Sequence, residues 1–179
     1  EISGFRSIDR AQIICTPVNV FCGLNDVGKS NILRALNLFF HDTTDYEVGF
    51  DFSSDYSKLS LAKAQRSSKK KQQVKIKVYF RAPASYKSLE GEPLWVERVY
   101  DRSGKRSSEK TSLDQSPKKA SLTRLVNSIK YFYIPALKGT SVLEYILGEI
   151  GDRNLMKSED IVSLNHKVNK NISDLATIL

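Results

Sequence analysis

Methionine and tryptophan occur once each in this 179-residue chain, cysteine and histidine twice, and proline five times. Two cysteines, Cys15 and Cys22, are too few for a disulfide-stapled fold. With no second cysteine pair and no accompanying histidine they also make no zinc cluster. Small buried hydrophobes in a reduced compartment is the role expected of both. No apolar run approaches the ~20 residues of a membrane-spanning helix and no signal peptide opens the chain. A cytoplasmic protein with no membrane partner is therefore expected. Neither His41 nor His166 has a companion that would make it catalytic, so surface or satisfied polar roles are expected. Acidic residues are the scarcer charge, 20 against 28 Lys and Arg, for a net charge of +8 and a pI near 9.4. That excess suits a polyanionic partner, with nucleic acid foremost. Charged residues at 27% and hydrophobic ones at 40% describe a globular chain with enough length for a proper core.

What the chain does possess is the octet Gly23-Leu24-Asn25-Asp26-Val27-Gly28-Lys29-Ser30, with Asn31 behind it. Two glycines five apart, then lysine and a small hydroxyl residue, is the spacing of a phosphate-binding loop. Gly23 and Gly28 permit a tight turn whose N–H groups converge on an anion. Lys29 places a cation on the outer phosphates, and the Ser30 hydroxyl is suited to a magnesium ion. The backbone from Asp26 to Asn31 is expected to cradle the β-phosphate at a helix N-terminus, where the dipole also favours an anion. The flanks agree. Val18 to Cys22 is apolar and β-branched, which predicts a strand leading into the loop. Ile32, Leu33, Leu36, Phe39 and Phe40 recur at helical spacing after it.

Elsewhere, Glu1–Ile8 reads as a first short strand, and Ala11–Phe21 as a second with a turn at Thr16-Pro17. The carboxylates Asp42, Asp45, Glu47, Asp51 and Asp55 could serve a metal-dependent nuclease, but their irregular spacing favours a solvated loop over 41–56. Residues 57–73, basic with the run Lys69-Lys70-Lys71, read as a surface segment and a candidate contact to a phosphate backbone. Val74, Ile76, Val78 and Phe80 alternate with polar residues and predict a half-buried strand with a basic outer face. Leu94–Tyr100 is its antiparallel partner, followed by a turn at 101–104. Residues 103–121 are Ser- and Lys-rich and read as a loop or insertion. A short helix is expected over Leu122–Ile129, then a buried strand over Tyr131–Ile134 stopped by Pro135. From Ile161 the apolar positions Leu164, Val168, Ile172, Leu175 and Leu179 follow three- and four-residue steps, the seam of a packed or coiled helix.

Gly4-Phe5-Arg6-Ser7-Ile8, Val18-Asn19-Val20 and the loop through Asn31 together resemble the N-terminus of the ABC-type ATPases grouped with SMC, RecF and OLD proteins. Asn25 and Asn31 match asparagines usual in those families. Phe50-Asp51-Phe52 with Asp55, Tyr133–Lys138 and Val142–Glu149 extend the resemblance toward OLD-like ATPases of phage defence, the Septu- and retron-associated PtuA-like branch. The resemblance implies an α/β P-loop NTPase: an ABC-type head lobe with a mixed or antiparallel β layer, followed by a helical arm. Residues 1–150 would form the N-terminal half of the head, and 151–179 the start of the arm. It implies ATP and Mg2+ as ligands, and Arg6 and Ser7 beside the nucleotide. It also implies a homodimer or higher homo-oligomer through the heads, DNA, and an HNH-type nuclease subunit as partners.

Two family features are missing from these residues: an acidic residue closing an apolar strand, which orients the attacking water, and a Leu-Ser-Gly-Gly-type signature. Gln72, Gln73 and Gln115 leave the metal-reaching glutamine unassigned. A Glu1 start and an end inside a helical pattern lead us to expect part of a longer chain, one that binds nucleotide but hydrolyses it poorly alone. Two alternatives stand beside the ATPase. A GTPase-type switch would use Asp101–Gly104, but Asn169-Lys170-Asn171-Ile172 lacks the acid that reads guanine. The other is a scaffold whose oligomeric state is set by nucleotide binding without turnover.

Overall fold

In the computed structural model, residues 1–24, 28–65, 71–135 and 148 are described. The chain divides into two units, Glu1–Tyr133 and Ile134–Leu179, and every element named below belongs to the first. The predicted helical seam from Ile161, the stretch 142–147 and Lys138 lie outside the described residues.

Five antiparallel strands make one sheet, in the order β2-β1-β5-β6-β7. The opening strand is two: β1 (Ile2–Phe5) and β2 (Ile8–Ala11) form a hairpin with Ile2 opposite Ala11 and Phe5 opposite Ile8. The turn between them holds Arg6 at φ 48, a left-handed conformation that a non-glycine residue adopts only under tertiary constraint. That constraint is Asp55, whose carbonyl accepts from Arg6 N at 2.7 Å and whose Oδ1 accepts from Arg6 Nε at 2.7 Å.

The alternation in 74–80 and 94–100 becomes β5 (Val74–Phe80) and β6 (Leu94–Tyr100), paired along their full length from Val74↔Tyr100 to Phe80↔Leu94. The turn at Asp101–Gly104 forms as expected, with Gly104 at φ 73 and its N–H on the Asp101 carbonyl. Beyond it, the Ser- and Lys-rich segment is not a loop. Arg106–Thr111 is β7, an edge strand exposed at every residue but the last. Its order comes from the ladder to β6, not from burial.

Helix α1 (Lys29–His41) buries Ala35, Leu38 and Phe39 against the sheet, in a core with Phe5, Ile76, Val96 and Tyr100. The Leu, Ile, Val and Phe side chains among them contribute roughly 1.5–3 kcal/mol each on burial. The buried Asn37 amide is satisfied by the Thr43 carbonyl and hydroxyl, both at 3.1 Å. Two β6 side chains grip the C-terminal end of α1. Arg98 donates to the Phe39 carbonyl and lies over the Phe39 ring, while the Tyr100 hydroxyl is 2.8 Å from the Leu38 carbonyl and 2.9 Å from Asp42 Oδ1. A guanidinium at a helix C-terminus also meets the negative end of the dipole. Burial pushes the Tyr100 phenol well above the usual tyrosine range.

Residues 41–56, expected to be a solvated loop, contain a small hairpin, β3 (Thr43–Asp45) and β4 (Val48–Gly49), and one helical turn, α2 (Phe52–Asp55). Asp51 caps that turn, accepting from Ser54 N at 3.0 Å and from the Ser53 and Ser54 hydroxyls. The polar stretch after it forms α3 (Lys58–Gln65), and α4 (Lys119–Ser128) lies where a short helix is expected.

Two apolar segments expected as strands are not strands. Residues 12–22 form no ladder, and Val18 and Val20 are 79% and 78% exposed. Thr16 and Asn19 close a turn there, with Asn19 Nδ2 on the Thr16 carbonyl at 2.7 Å. Cys15 and Cys22 are both exposed rather than buried. Residues 129–135 likewise form no strand, and Phe132 is 38% exposed. Tyr131 instead straps α1: its ring stacks on Phe40, its hydroxyl donates to the Leu33 carbonyl at 2.8 Å, and its carbonyl meets His41 Nε2 at 2.9 Å. The physical reason is common to both segments: an apolar run becomes a strand only where a neighbour completes its hydrogen bonds. Beside 12–21 an apolar hollow of about 620 Å³ opens between Ile13, Phe21, Ile32, Leu33, Leu36 and Val78.

Candidate functional site

The loop from Gly23 meets α1 at Gly28, the N-cap, which adopts φ 100 and ψ 8. Only glycine occupies that conformation without strain, and a second restriction is added by space. A Cβ on Gly28 would stand 2.5 Å from Ser7 Oγ. The hairpin turn between β1 and β2 thus abuts the loop. Asn31 Nδ2 donates to the same Ser7 oxygen at 3.0 Å. Ser7, Gly28 and Asn31, singled out separately in the sequence, form one contact cluster.

Asn31 N and Ile32 N donate to the Gly28 carbonyl at 3.0 and 3.3 Å and start the helix, and no side chain caps it. An uncapped N-terminus leaves N–H groups directed out of the helix, the arrangement that suits an anion. Lys29 bends back over the loop, donating from Nζ to the carbonyls of Gly23 at 2.8 Å and Leu24 at 2.6 Å. Its ammonium is therefore held at the loop mouth by neutral acceptors, which an anionic phosphate outcompetes. Ser30 sits exposed in the first helical turn. Gly23, at φ 147, turns the chain into the loop. Asn25, Asp26 and Val27 lie outside the described residues. The groups present fit a phosphate: a uniquely glycine backbone, an open helix terminus and a cation held only by neutral carbonyls.

Arg6 has a different set of neighbours. Its guanidinium is paired with Asp55, a carboxylate 1% exposed whose other oxygen accepts from Asp51 N at 2.9 Å. The backbone and side chain of Asp55 together lock the β1–β2 turn that carries Ser7 to the loop. The phrase Phe50-Asp51-Phe52 with Asp55 marks this segment as structural by resemblance; the pairing of Asp55 with Arg6, 49 residues away, has no local signal. Gln72, one of three glutamines considered for the metal, accepts instead from Arg102.

Among the described residues no group of three or more His, Cys, Asp or Glu side chains could hold a metal ion. No helix among them is long and apolar enough to cross a membrane. A family model described as an AAA ATPase domain matches residues 1–177. No curated protein and no solved structure matches the chain.

Proposed function

Because the chain belongs to the AAA ATPase domain family, we propose that it binds and hydrolyses ATP at the Gly23–Ser30 loop, as an ATPase of the SMC, RecF and OLD type. The observation that carries this is the closure of Lys29 Nζ on the Gly23 and Leu24 carbonyls, beside an uncapped helix whose N-cap only glycine can supply. Each residue then has a task. Gly28 lets the backbone come close to the β-phosphate, and the turn bearing Ser7 fills the space where a side chain would stand. Asn31 holds Ser7 in place. Lys29 exchanges its two carbonyls for phosphate oxygens and neutralises charge that grows as the terminal phosphoryl leaves. Ser30 would hold a magnesium ion through its hydroxyl, and that ion supplies further neutralisation when bound. Asn25, Asp26 and Val27 complete the loop in this proposal, while Arg6 acts from behind it through Asp55. The acid that orients the attacking water is assigned to no residue of this sequence.

In the wider proposal, ATP held between two heads controls DNA binding or an HNH-type nuclease partner, in phage defence or DNA repair in the cytoplasm. The support is the resemblance of the loop and its flanks to OLD-like ATPases, together with the net charge of +8. Equilibrium binding of a fluorescent ATP analogue tests the core of it. Lys29→Ala is expected to weaken binding tenfold to a hundredfold, about what one or two charge-assisted hydrogen bonds contribute, with GTP competing poorly. Wild-type affinity in Lys29→Ala would remove the loop as the site; binding without turnover would favour the scaffold.

A further inference from the structure

The side of the sheet turned away from α1 carries a second feature. Register places Arg10 of β2 opposite Ser3 of β1, Ser3 opposite Lys75 of β5, and Lys77 and Tyr79 opposite Glu97 and Trp95 of β6. Residues two apart share a face, so Lys75, Lys77 and Tyr79 form one row, with Arg10 on its flank. Together with α3 this face bounds an open cleft of about 820 Å³, with Arg10, Lys63, Lys71, Lys75 and Lys77 on its walls.

Of the described acids there, Asp9 is the one in an ion pair. Asp9 binds Lys63 and the Ser60 hydroxyl, Glu97 stands in register between Lys77 and Lys110, and the Glu1 carboxylate accepts from the Tyr79 hydroxyl at 2.9 Å. Among the described residues, none of Arg10, Lys71 and Lys75 is in an ion pair, and all three are exposed. At the end of the row Tyr79 is 54% exposed, and Lys77 Nζ lies 3.9 Å from the centre of the Trp95 ring. Unpaired cations grouped on one face, with an exposed aromatic ring at the end of the β5 row, suit a flexible phosphate backbone whose bases are free to stack. A duplex, whose bases are already stacked, has no use for the ring.

We infer that this outer sheet face is a binding platform for single-stranded nucleic acid, with Arg10, Lys71 and Lys75 on its phosphates and Tyr79 stacked on a base. The inference deepens the proposed DNA role, but the surface is distinct from the nucleotide loop, and the two are separately measurable. Fluorescence anisotropy with a labelled single-stranded 20-mer and its duplex, at 50 and 200 mM salt, tests it alongside ATP-analogue binding in the same samples. The wild type is expected to prefer the single strand. Arg10→Glu/Lys75→Glu should weaken binding at least tenfold and lower the salt slope by about 1.4, two single-strand phosphate contacts at about 0.7 each. Tyr79→Ala should weaken it about fivefold or more at either salt. ATP-analogue affinity and thermal melting should stay as in the wild type. Equal affinity for the duplex, or unchanged single-strand binding in the charge-reversal variant, would overturn the platform and leave the ATPase proposal standing. Oligonucleotide binding that follows these variants in a protein that binds no ATP would do the reverse.

Discussion

Replacing Gly28 by alanine tests the centre of the site on both its restrictions at once. The first is backbone: at φ 100 and ψ 8 an L-residue costs about 1–2 kcal/mol, and this φ lies beyond the centre of the left-handed well, so the upper value applies. The second is contact: the new methyl would stand 2.5 Å from Ser7 Oγ, so that hydroxyl must swing away and release Asn31 Nδ2. A hydrogen bond of that kind contributes about 0.5–1.5 kcal/mol. Gly28→Ala should therefore destabilise the protein by about 2.5–3.5 kcal/mol. The two parts separate in a double-mutant cycle. Ser7→Ala removes the oxygen and leaves its Cβ at 3.7 Å, an ordinary contact. In that background Gly28→Ala keeps its backbone cost and loses the clash. The coupling should be about 1 kcal/mol, roughly fivefold in an equilibrium constant. Urea unfolding of the four proteins, compared at constant m-value, measures it. Additivity within about 0.5 kcal/mol would show that Ser7 does not fill the space above Gly28. A cost for Gly28→Ala near zero would refute the left-handed cap itself.

Two further outcomes follow from groups away from the loop. Tyr100→Phe removes a hydroxyl shared by the Leu38 carbonyl and Asp42 in a residue 1% exposed, and should cost about 1–2 kcal/mol in the same unfolding assay; an unchanged midpoint would show that the hydroxyl does not hold α1. Hydrogen bonds from Ser53 and Ser54 lower the Asp51 carboxyl from 3.8 to about 2. A depressed pKa stabilises the fold above the unfolded value and loses that contribution as pH falls from about 4 through about 2. Side-chain NMR titration should place Asp51 near 2 in the wild type and higher in Ser53→Ala/Ser54→Ala, and an unshifted titration would disprove the cap.

The elements legible in the sequence were those whose signal is local. Gly28 with the periodic run behind it announces α1, and the alternation of Val74, Ile76, Val78 and Phe80 announces β5 and, by its basic other side, the outer face. Gly104 marks its turn. What stayed hidden depends on distant partners. The break between β1 and β2 falls at Arg6, a residue with no turn propensity of its own, because Asp55 holds it from 49 residues away. β7 has almost no buried side chain and exists through its ladder to β6. The opposite error has the same origin: 18–22 and 131–134 have strand composition, but composition supplies no neighbour. At the site, the loop was readable from its spacing, whereas the meeting of Ser7, Gly28 and Asn31 is a property of the folded hairpin.

Arg98 and Tyr100 hold the C-terminal end of α1, and the contact of Asn31 with Ser7 holds the other. The 13-residue helix, about 20 Å long, is therefore tied to the sheet at both ends. β6 supplies the first tie and turns Trp95 and Glu97 to the opposite face of the sheet. One strand thus serves both surfaces, and a substitution that displaces β6 disturbs the helix and the outer face together.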